Sequence, residues 1–321
     1  FTAYGVDVLS LRFFDLLNPE LVFLKDLLFF FFIVSFAVKV PIIPFHIWLP
    51  EAHGEAPTPG SVILSGLILK LGVYGLLRFV LPTFPETFFI WRTFFCVVFI
   101  CGLFFSLFAM VRQSDVKRII AYSSVSHMHL CMLGLFSGNY EGLLGGIYLM
   151  ICHGLTSSGL FFSLGLLTDR QGSRIFSMLG GQARLKPIAT IFFFLFCLAN
   201  VGFPFTGNFI AEFYIFYGLV ETNTFIGLLG SLSLILNSAI WIWVFCRIFL
   251  GKFGLFSSFV SDGGFFSFLN QIYTGDVNFR ELFLLSFLLS LVFLLGIFPT
   301  IFFSYFDSVV LSILDSFKSF S

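Results

Sequence analysis

Residues 39–79 read KVPIIPFHIWLPEAHGEAPTPGSVILSGLILKLGVYGLLRF, and the fold of the whole chain turns on them. Lys39 and Lys70 each sit inside an apolar run, and Pro41 and Pro44 follow the first of them at once. A charged group deep in a membrane segment is costly and ordinarily marks an ion or proton pathway. A helix interrupted by prolines at that depth is tolerated only where protein buries it or where it lines a wet cavity. The stretch therefore reads as a broken membrane helix followed by an intact one, along a route for small cations, protons first among them.

Outward from this stretch, the composition is that of a polytopic membrane protein. Of 321 residues, 58% are hydrophobic and 11% charged, against roughly 25% charged in an average soluble domain. Mean hydropathy is +1.03. The formal net charge is zero, which argues against a nucleic-acid partner. The 52 phenylalanines exceed any chemical need and fit a T-rich codon bias of the kind found in organellar genomes. Cys96, Cys101, Cys131, Cys152, Cys197 and Cys246 lie in apolar stretches without a CxxC pair, and they read as small hydrophobes. There is no iron–sulfur, haem, Walker or dinucleotide-binding motif. The expectation is a chain that carries no electrons and holds no cofactor or metal itself.

At about 20 apolar residues per span, the chain reads as all-α with about eight transmembrane elements, two of them discontinuous. The first covers 24–40, breaks at Pro41 and Pro44, and continues as a short segment to 52. The next four cover 60–80, 88–110, 115–137 and 140–167. The sixth starts after Pro187, breaks in GFPFTG at 202–207, with Gly202, Pro204 and Gly207, and resumes to 220. The last two cover 224–250 and 281–305. Residues 308–319 suit a short amphipathic helix, and 251–279 form the longest extramembrane loop. The whole of 1–321 reads as a single domain. Loops after the third, fifth and seventh elements carry Arg112, Lys117 and Arg118; Arg170, Arg174, Arg184 and Lys186; and Lys252 and Arg280. The positive-inside rule sets these on the cytoplasm-like or matrix side, although the loop after the first element carries Glu51 and Glu55 instead. One broken helix in each half is the pattern of inverted-repeat transporters.

Five side chains are candidates for moving protons. Lys39 lies just before the first break. Lys70 is about 15 Å into its helix at 1.5 Å per residue, close to the midplane, where snorkelling is hard. His127 and His153 sit mid-helix beside hydroxyls, Ser123, Ser124 and Ser126 near the one and Thr156, Ser157 and Ser158 near the other. Imidazole titrates near neutrality and can pass a proton through either nitrogen. The bland alternative is a core histidine bonded across a helix interface. Metal binding is disfavoured, with no third ligand nearby in sequence. Glu212, in GNFIAEF, is the carboxylate well inside the second half, with water and a basic residue as expected partners. His46, His53 and His129 are weaker candidates, the first two read as structural. Glu51, Glu55, Arg78 and Arg118 read as helix-end or loop charges. Gly142 and Gly146 read as a close helix contact.

These motifs also carry a resemblance. The 39–79 stretch, KRIIAYSSVSHM at 117–128, HGLTSSGLF at 153–161, GFPFTGNFIAEF at 202–213 and RELF at 280–283 resemble, in order and spacing, the antiporter-like subunits of respiratory complex I. The likeness covers nearly the whole chain. It implies a fourteen-helix fold containing two inverted five-helix repeats, in which the eight elements would be helices seven to fourteen. It further implies that Lys39 is the central protonatable lysine and that Lys70 leads toward mid-channel. His127 and His153 would bridge to the exit half, with Glu212 closing the axis.

The departure is that helices one to six have no counterpart, including the one whose glutamate pairs with the first lysine. Glu20 and Asp26 lie at the wrong end of the first element to replace it. A separate chain from a split gene, rather than a longer polypeptide, is expected to supply those helices, and FFDLLNPE at 13–20 matches the region before helix seven. The resemblance thus implies a proton-translocating subunit in the membrane arm of complex I, in the mitochondrial inner membrane. Its partners would be neighbouring antiporter-like subunits and lipids, with FMN, iron–sulfur clusters and ubiquinone on other subunits. The expected proton order is Lys39, Lys70, His127, His153, Glu212. Two competing readings are a subunit of a multisubunit sodium/proton antiporter, which shares the core motifs, and a scaffold that pumps nothing, which would have no reason to carry buried charges.

Overall fold

The computed structural model describes residues 22–250 and 276–318. Glu20, the FFDLLNPE stretch and residues 251–275 of the long loop lie outside the described residues. The described residues fold into helices α1 (Val22–Lys39), α2 (Trp48–Glu55), α3 (Thr58–Thr83), α4 (Pro85–Arg112), α5 (Val116–Phe136), α6 (Tyr140–Gln171), α7 (Pro187–Val201), α8 (Gly207–Thr222), α9 (Thr224–Leu250), α10 (Phe279–Ile297) and α11 (Pro299–Lys318). Six of these, α3, α4, α5, α6, α9 and α10, are long and apolar enough to cross a membrane. The two discontinuous elements complete the eight expected. One is α1, whose 18 residues include Lys25, Asp26 and Lys39. The other is the pair α7 and α8, of 15 and 16 residues.

Local chemistry sets the starts. Proline at the first helical position, where a missing N–H costs nothing, opens α4, α7 and α11. Asp115, Asn139 and Asn223 accept from backbone N–H groups in the first turns of α5, α6 and α9. Asn278 and Glu281 form a capping box on α10. The eighth element is shorter than expected. The apolar run 281–305 is interrupted at Phe298, because a residue before proline is pushed out of the helical region. Phe298 sits at φ −121°, ψ 60°. The C-terminal helix accordingly begins at Pro299 and not near 308.

α6 is the hub, packed against α3, α5, α7, α8, α10 and α11. Polar contacts gather at the two ends of the bundle. At one end Lys117 donates to Ala56 O at 2.5 Å, Arg174 donates to Gly54 O, and Asp115 pairs with Ile175 through the backbone. Arg170 and Glu281 meet there at 2.5 Å. The loops after the first, third and fifth elements therefore share one end, as alternating spans require. At the other end Thr87 donates to Asp26, Arg92 to Ser137 O, Asn139 to Glu221, and Tyr140 to Asp307 at 2.6 Å. The last bond ties α11 to α6.

Candidate functional site

α3 changes hydrogen-bonding register twice, with π-helical turns over Leu64–Ile68 and Leu76–Val80. Such turns are rare and concentrate at functional sites. Lys70 follows the first. Its ammonium donates to Ser65 O and lies 3.1 Å from His153 Nδ1 in the middle of α6. The His153 and His127 rings are 5.0 Å apart between centroids and tilted by 31°. His127 Nδ1 is in turn 3.7 Å from Glu212 Oε1 on α8. That spacing is an ion pair when His127 is protonated and otherwise leaves room for rearrangement. All four groups are buried, at 9% exposure for Lys70, 0% for His153, and 3% for His127 and Glu212.

The row therefore runs Lys70, His153, His127, Glu212 across α3, α6, α5 and α8. This interchanges the two histidines relative to the order expected from sequence. The cause is packing: α3 lies chiefly on α6, so the α6 histidine meets Lys70 first.

Glu212 belongs to the second break. Gly202 there has φ +79°, a conformation that disfavours a side chain, and a Cβ at Gly202 would lie 2.3 Å from Glu212 Oε2. The break and the carboxylate thus occupy one volume. Pro204 and Gly207 complete the bend, and Phe205 also adopts positive φ, at 74°. Asn200, Asn208 and Asn237 surround this site and are buried. Asn237 donates to Asn200 O at 3.2 Å and Asn208 to Thr156 Oγ1 at 3.4 Å. Among the described residues, Asn200 Oδ1 and Nδ2, Asn208 Oδ1, Asn237 Oδ1, Glu212 Oε1, His153 Nε2 and both His127 nitrogens have no hydrogen-bond partner. Buried polar atoms are ordinarily satisfied, so this cluster has the capacity to hold bridging water. Sequence reasoning passed over the three asparagines. Their signal was an amide inside an otherwise apolar helix, as in LILNSAI.

Lys39 is not part of the row. It is exposed on the outer surface at the end of α1. Its Cβ lies 3.0 Å from where a Cβ on Gly72 would stand, so α1 rests on the Gly72 side of α3. Positions two apart on a helix face different ways, which puts Lys39 and Lys70 on opposite sides of α3. Val38, Phe45, Ile47 and Tyr74 are exposed in the same segments of α1, the break and α3.

His53, read as structural from sequence, is completely buried and stacked on Phe161 at 4.4 Å and 13°. Neither of its nitrogens has a partner among the described residues. Phe161 also lines a cavity of about 280 Å³ at the basic end of the bundle, together with Thr58, Lys117, Thr168, Asp169 and Arg174.

The comparisons agree with this architecture. A protein called NADH-ubiquinone oxidoreductase chain 4 from Chondrus crispus is 44% identical, over 78% of this chain and 55% of that protein. Its namesake from Acanthamoeba castellanii is 46% identical, over 69% of this chain and 44% of that protein. Among solved structures, a chain of respiratory complex I from Thermus thermophilus superposes with a TM-score of 0.80 at 26% identity, covering 91% of this chain and 59% of that one. The chain spans about half the length of the relatives it matches. Residues 9–237 match the family model described as NADH:quinone oxidoreductase/Mrp antiporter, TM, and the chain belongs to that family.

Proposed function

We propose that this chain is a proton-translocating part of the membrane arm of mitochondrial NADH:ubiquinone oxidoreductase. The observation that carries the reading is the buried row of Lys70, His153, His127 and Glu212. Each group is titratable and buried, and each lies beside the next. Lys70 Nζ passes its proton to His153 Nδ1, the 5.0 Å ring gap to His127 is bridged by water, and His127 hands the proton to Glu212. Moving one elementary charge across 100 mV costs about 2.3 kcal/mol. That work comes from NADH oxidation on partner subunits, because a hydrogen bond made at one step and broken at the next leaves no net free energy.

On this reading the protein sits in the mitochondrial inner membrane beside other membrane-arm subunits, including neighbouring antiporter-like ones, and among lipids. FMN, iron–sulfur clusters and ubiquinone belong to partner subunits. The surface bearing Lys39 is then covered by neighbouring helices, one of which supplies a carboxylate to the exposed ammonium.

The test is Lys70→Met in the assembled complex, with proton uptake per NADH oxidised measured in sealed vesicles. Loss of most of this module's pumping is expected, and native pumping stoichiometry would refute the role. Sodium-dependent proton flux without NADH oxidation would instead point to the antiporter branch of the family.

A further inference from the structure

We propose that His129 is a positioning residue for the first broken helix, holding the backbone beside Lys39 through a neutral imidazole with its proton on Nδ1. A break at membrane depth frees backbone groups that have no water to turn to, so side chains or neighbouring helices must take them up. Around Lys39 two such groups are taken by side chains. Val38 O accepts from the Trp48 indole at 2.8 Å. The Ile43 N–H, beyond the break, donates to His129 Nε2 at 3.3 Å, from 86 residues further along the chain.

His129 can serve this purpose in one form only. Its Nδ1 lies 2.8 Å from Val125 O, and a carbonyl only accepts, so Nδ1 carries the hydrogen and Nε2 is left with the lone pair that Ile43 requires. The ring is completely buried. Space for it is made on a third helix, where a Cβ on Gly102 of α4 would stand 2.1 Å from Nε2, the atom that receives the bond. Gly102, His129 and Ile43 thus come from α4, α5 and the break, and they converge on one hydrogen bond. With Trp48 on the other side, this holds the main chain that presents Lys39 to the surface.

The functional weight of the clamp rests on the proposed role of Lys39, but the clamp itself is measurable without it. The experiment is hydrogen–deuterium exchange on the peptide over 40–47 in the assembled complex, with proton translocation recorded in parallel. His129→Leu keeps bulk and removes the acceptor, and Gly102→Ala presses on the Nε2 atom while leaving His129 in place. Both should speed exchange at the Ile43 amide by tenfold or more. His129→Gln, whose amide oxygen can replace Nε2, should restore protection. Unchanged exchange in His129→Leu overturns the proposal, as does a Gln variant that exchanges as fast as the Leu variant. Should the Leu variant not assemble, unchanged exchange in Gly102→Ala overturns it equally. Native pumping in Lys70→Met would sink the pumping reading and leave this result standing on its own.

Discussion

The contact that joins Lys70 to His153 depends on how closely α3 approaches α6, and one glycine sets that distance. A Cβ on Gly154, the residue after His153, would stand 3.0 Å from Gly66 O and 3.5 Å from Lys70 Cε. Ordinary van der Waals contact begins near 3.4 Å. The alanine variant therefore requires the helices to part by about 0.4 Å at the crossing, since a backbone carbonyl cannot swing away. Added to the 3.1 Å between Lys70 Nζ and His153 Nδ1, this stretches the contact to about 3.5 Å, beyond a useful hydrogen bond. A hydrogen bond to a charged group contributes about 1.5–3 kcal/mol, so its loss slows the first transfer by roughly one to two decades. Overpacking itself costs about 1–3 kcal/mol, so assembly must be read separately on native gels. Gly154→Ala should assemble at reduced yield and move fewer protons per NADH oxidised, and Gly154→Val should be worse in both. The double variant Gly154→Ala with Lys70→Met should pump no less than Lys70→Met alone. Gly66→Ala is the internal control, because its methyl meets the Ser158 hydroxyl at 2.7 Å, which can rotate, and the effect should be mild. A Gly154→Val enzyme that assembles and pumps at native stoichiometry would refute the argument that this approach transmits the proton.

Three further outcomes are expected. Burial and, after it, the Arg170 charge push Lys186 from 10.5 down to about 8, with Asp276 opposing; the unfolded chain therefore holds more protons between those values, stability rises with pH across that window, and the deficit is fully present below it. Lys186→Met should flatten that rise in a series of thermal melts. Glu281→Gln breaks the largely buried contact with Arg170, at 16% and 12% side-chain exposure, and weakens the α10 cap, a loss of about 3 kcal/mol in denaturant titrations that Arg170→Met should partly recover. Tyr140→Phe removes the 2.6 Å bond to Asp307, costs about 1–3 kcal/mol, and should loosen α11 enough to hasten its proteolytic clipping.

The positions of the spans were legible in the sequence because run length is a local property. Apolar run length marked the spans, and proline and glycine marked both breaks to within a few residues, since each of these acts on its own backbone. The end of α10 was missed although Pro299 carried the signal, because the flanking GIFPTIFF is apolar throughout and hydropathy alone does not register a change of helix direction. Neighbour relations were a different matter. Lys39 and Lys70 look like consecutive links when read along the chain, yet α1 packs on the Gly72 side of α3 and Lys70 points to the opposite side. Likewise His127 precedes His153 in sequence but follows it in space.

What decides those relations is which helices are allowed to touch, and that information lies in the small residues. Gly66 and Gly154 bring α3 onto α6, Gly72 brings α1 onto α3, and Gly102 admits the ring of His129. Each lacks a side chain at the point where a Cβ would push two helices, or a helix and an imidazole, apart. The titratable residues in this chain show what chemistry is present at mid-membrane depth. The glycines opposite them show in what order that chemistry is connected. A single methyl group at Gly154 should therefore disturb the row almost as effectively as removal of one of its charges, even though it changes neither hydropathy nor net charge.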